Sequence, residues 1–119
     1  MKEDYNTAKN DMADIIDSNF IIRKKSISNI ARLYDDAMPS RNDEADRYVA
    51  EIHFHYMIWK KFGALPEKSL QRIKRITDTI LSLSPSFFQL NSDEYADFMQ
   101  LTKELHSANF SILTDDTIE

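Results

Sequence analysis

A single glycine, Gly63, stands among the 119 residues of this chain. Glycine supplies most left-handed turns, phosphate-cradling loops and close approaches of backbone to ligand, so one copy leaves almost no room for Gly-rich loop chemistry. With only three prolines beside it, the chain is expected to be packed helix. Hydrophobic residues at 42% and charged residues at 29% suit one globular core rather than a disordered polymer. The expectation is an all-α, compact single domain over residues 1–113, a bundle of roughly four to six helices. A polar acidic tail over residues 114–119 follows it.

Apolar spacing locates the helices. Tyr5, Ala8, Met12, Ile15 and Ile16 recur at intervals of three and four, which places them on one helical face. A second run holds Phe20, Ile21, Ile22, Ile27, Ile30, Leu33, Tyr34 and Ala37. Asp17-Ser18-Asn19 between the runs offers side chains that cap a new helix, and without a break there one helix runs to about Met38. Pro39 closes the region, because the residue before proline is pushed out of the helical basin.

Ser40 with Asp43 three residues later resembles a capping box, which starts the next helix at about Arg41, with Asp43, Glu44 and Asp46 favoured by the helix dipole. Ala45, Tyr48, Val49, Ile52, Tyr56, Trp59 and Phe62 give it one stripe. Phe54, Met57 and Ile58 widen that surface, as a central helix contacted from several sides requires. Gly63 then sits where helices end in a left-handed residue. Pro66 suits a first helical turn, with Leu65 packing against Leu70 across it. The helix over residues 67–83 carries Leu70, Ile73, Ile76, Ile80, Leu81 and Leu83. Ser84-Pro85-Ser86 ends it, Phe87-Phe88-Gln89-Leu90 tucks against the bundle, and a last helix begins near Asn91 or Ser92 with a stripe of Tyr95, Phe98, Met99, Thr102 and Leu105. Phe110, Ile112 and Leu113 are candidates to dock after it.

The net charge of −5 is unevenly spread. Residues 60–75 carry six basic and one acidic side chains, whereas residues 76–119 carry one and eight. This pattern favours a basic protein partner, or an internal clasp between the two segments, over general nucleic-acid binding. Absence of cysteine excludes a disulfide scaffold, cysteine-based zinc sites and a thiol nucleophile. The amino terminus runs into polar and acidic residues instead of the apolar stretch of a secretory signal or membrane span, so a cytoplasmic protein with no membrane contact is expected.

No residue pattern points to catalysis, a cofactor or a metal. His53 and His55 point about 200° apart on a helix and cannot share one ion, since the helical zinc pattern needs histidines at i and i+4. Glu51 and His55 have that i,i+4 relation and read as an ordinary surface or interface pair. No glutamate has a histidine three residues later, which rules out the di-iron bundle pattern. The expected activity is therefore binding and not an enzymatic reaction.

The preferred reading is a small acidic immunity- or antitoxin-like protein that neutralises a toxin by covering a basic surface. Asp93, Glu94, Asp97 and Glu104 supply the charge, and Tyr56 and Trp59 the aromatic anchors. Core packing accounts for most of the other aromatics of the central helix, Tyr48, Phe54 and Phe62. One alternative is a homo-oligomeric adaptor or secretion chaperone. Another is a helical DNA-binding regulator that presents Lys68, Arg72 and Arg75 on one face to nucleic acid. Overall acidity weighs against the last, and Arg23-Lys24-Lys25 reads as a solvated basic run.

Overall fold

A computed structural model describes residues 4–22, 27–38 and 43–114. Five α-helices carry the fold: α1 (Tyr5–Ile22), α2 (Ile27–Ala37), α3 (Glu44–Phe62), α4 (Glu67–Ser82) and α5 (Ser92–Ser107). A 3-10 turn, Pro85–Phe88, links the last two. The all-α expectation holds, with no strand among the described residues beyond an isolated parallel bridge between Leu65 and Ile112. No described helix is long and apolar enough to cross a membrane.

α1 buries Tyr5, Ala8, Met12 and Ile16 on one stripe, as their spacing predicts. The helix does not stop at Asp17-Ser18-Asn19 but continues to Ile22. Asp17 and Ser18 lie on the exposed side, where a polar residue has no reason to leave the helix, and Asp17 pairs with Lys61 of α3 at 3.8 Å. Two helices therefore cover this region, with the break later than the capping residues suggest. The side chains of Phe20, Ile21 and Ile22, and the run Arg23-Lys24-Lys25, fall outside the described residues.

α3 is the axis of the bundle, packed against α1, α4 and α5. It begins at Glu44 and not at about Arg41, because Asp43 itself is the N-cap, in extended conformation and with no side-chain cap bond. Ser40, the other half of the expected capping box, is not described. Glu44 and Asp46 do occupy the first turn, and Lys60 and Lys61 the last, each where the helix dipole favours its charge. Ala45, Val49, Ala50, Ile52, Phe54 and Ile58 are buried around more than one face. This all-round burial also encloses Glu51, His53 and His55, so the Glu51–His55 pair, read from the sequence as a surface or interface pair, is present but lies in the interior and not at the surface.

Gly63 ends α3 in the left-handed region at φ +71°, donating its N–H to the Trp59 carbonyl at 2.7 Å. Two residues later Leu65, fully buried, accepts from Leu113 N–H at 2.8 Å and donates to the Ser111 carbonyl at 3.1 Å. The segment after α5 thus returns to the joint between α3 and α4. Leu113 is buried and Phe110 half-buried, but Ile112 stays 55% exposed, because adjacent residues of an extended segment point to opposite sides. α5 opens with a complete capping box: Asn91 Oδ1 accepts from Glu94 N–H at 2.9 Å and Glu94 Oε1 accepts from Asn91 N–H at 3.1 Å. Phe98, Thr102 and Leu105 face the core, and Phe88 of the 3-10 turn is fully buried against Phe98, ring centroids 5.0 Å apart.

Candidate interaction site

Asp93, Asp97, Gln100 and Glu104 follow one another at helical spacings of three and four, within about 60° of arc on α5. They run along its margin with α1 and α3. Asp93 and Gln100 are exposed, and Asp97 and Glu104 partly so. Glu94 is different in kind, since its carboxylate closes the capping box. Among the described residues no ion pair joins the basic side chains of α4 to these acids. The two helices meet instead through His106, which lies 3.1 Å from Thr77 Oγ1 and 3.5 Å from Asp78 Oδ1. The internal clasp suggested by the charge distribution is therefore not what holds α5 in place.

Two aromatic side chains of α3 border the acidic stripe. Tyr56 is half-buried, and its hydroxyl is pushed up by burial and then by the charge and hydrogen bond of Glu104, with Asp97 adding to the effect. Trp59 meets Tyr56 edge-on at 5.9 Å and Phe110 at 5.0 Å. Lys60 lays its ammonium over both α3 rings, 4.3 Å from the Trp59 centroid and 5.2 Å from that of Tyr56. Open grooves flank this ridge. One, about 660 Å³, runs along α5 past Met99, Gln100 and Glu104, and another, about 390 Å³, lies between α1 and α3 beside Ala13, Met57 and Lys60. Five of the six residues expected to bind a partner, Asp93, Asp97, Glu104, Tyr56 and Trp59, thus share one face, and Glu94 is committed to its helix end.

Beneath that face lies a polar cluster that joins three helices. Tyr5 of α1 donates to Asp97 Oδ2 of α5 at 2.6 Å, and its oxygen lies 3.2 Å from His53 Nε2 of α3. His53 Nδ1 donates to the Val49 carbonyl at 2.9 Å. Burial, then the bond to Asp97, pushes the Tyr5 hydroxyl far above its ordinary range. Desolvation holds the His53 imidazole below its own. The bond from Tyr5 outweighs desolvation at Asp97 and lowers its carboxyl, and Lys9 Nζ at 3.5 Å reinforces this.

A second buried cluster occupies the opposite side of α3. Tyr34 of α2 donates to Glu51 Oε1 at 2.7 Å, His55 Nε2 lies 3.3 Å from the same oxygen, and Arg72 Nε of α4 lies 3.9 Å from it. The Arg72 guanidinium covers the Tyr34 ring at 3.9 Å. Burial raises the Glu51 carboxyl, but the hydrogen bond and charge of His55, followed by Tyr34 and Arg72, outweigh it and hold the group below its usual range. His55 Nδ1 is buried without a hydrogen-bond partner. Beside the cluster opens a cleft of about 560 Å³ lined by Ile27, Tyr34, Phe54, Lys68, Arg72 and Ile112, among others. Of the trio expected to meet nucleic acid, Lys68 and Arg75 are exposed, whereas Arg72 is turned onto Tyr34 and Glu51.

Neither cluster assembles a nucleophile with its base and an oxyanion site. No group of three or more His, Asp or Glu side chains able to hold a metal occurs among the described residues. The Glu51–His55 contact has the i,i+4 spacing read from the sequence, but the long-range members of both clusters escape sequence reasoning for one reason. Tyr5, His53 and Asp97 come together across 48 and 92 residues of chain, and no local spacing encodes such a meeting. Comparison with known proteins adds no relative: no family model, no curated protein and no solved structure matches the chain.

Proposed function

We propose that the protein works by stoichiometric binding, as an immunity- or antitoxin-like inhibitor that covers a basic surface of a toxin. One observation carries the reading: the stripe Asp93, Asp97 and Glu104 runs beside the partly exposed rings of Tyr56 and Trp59. Interfaces take most of their energy from aromatic and arginine anchors, while surrounding charge speeds and orients the encounter. The hydrogen bond from Tyr5 to Asp97 supports the same reading, because it fixes one member of the stripe before any partner arrives, and preorganisation lowers the cost of association. A neutraliser of an intracellular toxin acts in the cytoplasm.

Co-purification with the product of the neighbouring gene tests the proposal. The expected result is a one-to-one complex whose association weakens with salt and falls at least about tenfold in Asp93→Lys with Glu104→Lys, as for charges that steer association. A self-associating dimer that captures no such product would instead favour the adaptor reading and end this one.

A further inference from the structure

The chain has one tryptophan, and its ring is already occupied by a cation. Trp59 is braced edge-on by Tyr56 and Phe110, which leaves a ring face open to the side, and the Lys60 ammonium fills it. Lys60 is exposed and makes no ion pair among the described residues, although Glu104 stands against the neighbouring Tyr56 hydroxyl. Two aromatic faces with a carboxylate at their border form a receptor for a cation. Lys60 uses the faces and leaves the carboxylate.

An ammonium is a compact, strongly hydrated point charge, whereas a guanidinium is planar, stacks on aromatic rings and presents several donors in a rigid fork. An arginine at this position would lie flat on Trp59 and reach Glu104 with its donors, which Lys60, tethered one residue from Trp59, does not do. The groove between α1 and α3 is lined by Ala13, Ile16, Tyr56 and Met57 beside Lys60 and the Asp17–Lys61 ion pair, and its apolar part offers surface for the arginine stem. We propose that Tyr56, Trp59 and Glu104 form a receptor for an arginine side chain of the protein partner, and that Lys60 is the placeholder it displaces. The proposal rests on the binding function above and specifies the partner's chemistry.

Trp59 is its own reporter. The whole protein is titrated with a blocked peptide of alternating arginine and glycine, with its lysine and citrulline counterparts as controls, and the tryptophan fluorescence is followed. The arginine peptide is expected to give a saturable change, at least threefold tighter than the lysine peptide, and citrulline none. Lys60→Ala removes the competitor and tightens arginine binding at least threefold, while Lys74→Ala, which removes the same charge from the exposed side of α4, changes it less than 1.5-fold; Glu104→Gln weakens it at least threefold. Equal tightening in the Lys60 and Lys74 variants, or equal binding of arginine and lysine peptides, would show long-range charge alone and overturn the receptor. A partner complex that is sensitive to Asp93 and Glu104 but accompanied by no peptide response keeps the binding function and removes this inference. The stated peptide response without any one-to-one complex does the reverse.

Discussion

Tyr5 and Asp97 lie 92 residues apart in the chain and 2.6 Å apart in the fold. Their bond ties the first helix to the last across the central one, and His53 lies against the same hydroxyl. Tyr5→Phe removes only that hydroxyl. Because the Asp97 side chain is 42% exposed, water replaces the lost donor, and the expected loss is about 1 kcal/mol in urea denaturation. Met12→Ala, at a fully buried position of the same helix, is expected to cost about 2–5 kcal/mol. A larger effect at Tyr5 than at Met12 would mean that polar tethering, and not apolar packing, docks α1.

Stability is expected to decline toward acid in two stages. The His53 imidazole faces Tyr5, Asp97 and Lys9, and burial lowers its pKa from the ordinary 6.5. As pH falls through that value the unfolded chain takes up a proton that the folded protein resists, so the equilibrium moves toward unfolding until the folded-state pKa is reached. Glu51 and Asp97 are lowered from 4.5 and 3.8. Their contributions are complete above those values and disappear as pH falls through the folded-state ones. Urea midpoints measured against pH should show the upper stage in the native protein and a flatter curve there in His53→Gln. An unchanged midpoint from pH 7 down to about 5 would contradict this linkage.

Gly63 and Gln89 are the two left-handed residues of the described chain, at φ +71° and +52°. A β-carbon at Gly63 meets no atom within 4 Å, so its substitution by alanine tests backbone strain without steric conflict. Gly63→Ala is expected to cost about 1 kcal/mol, whereas Gln89→Gly exchanges relief of the same strain for greater freedom of the unfolded chain and should change stability by less than about half that. Thermal or urea unfolding of the two variants side by side decides the comparison.

Arg72 and Arg75 look alike in sequence and should behave differently. Arg72→Ala strips the cation from the Tyr34 ring and from the buried Glu51 carboxylate. The Arg72 side chain is 37% exposed, which moderates the loss to about 1–2 kcal/mol. Arg75 is exposed, and Arg75→Ala should stay within about 0.5 kcal/mol of the native protein. Loss of any nucleic-acid binding in an Arg72 variant would thus report on folding, and Lys68→Ala with Arg75→Ala is the variant pair that isolates surface charge.

The sequence revealed the helices where apolar spacing and punctuation agree. Gly63 marks the end of α3, and Pro66 and Asn91 stand at the starts of α4 and α5, because each supplies a backbone property that its neighbours lack. A signal of the same kind at Asp17-Ser18-Asn19 marks no break, since a residue able to cap is equally content on the wet side of a continuing helix. The acidic and aromatic residues of the candidate face could be nominated from charge and spacing alone, and their meeting on one face adds the geometry. The polar partners of Tyr5 and Tyr34 and the burial of His53 and His55 were beyond reach, because a polar residue on a helix buried all round reads locally like one on a surface.

The pairing of Leu65 with the Ser111–Leu113 segment closes α4, the 3-10 turn and α5 into a ring without a covalent bond. Cutting the chain before Ser111 would remove both hydrogen bonds and a buried leucine together, so the carboxy-terminal half opens as a unit or stays shut as one. Amide protons of Leu65 and Leu113 should accordingly exchange in step with those in the middle of α5, making an isolated bridge the latch of half the molecule.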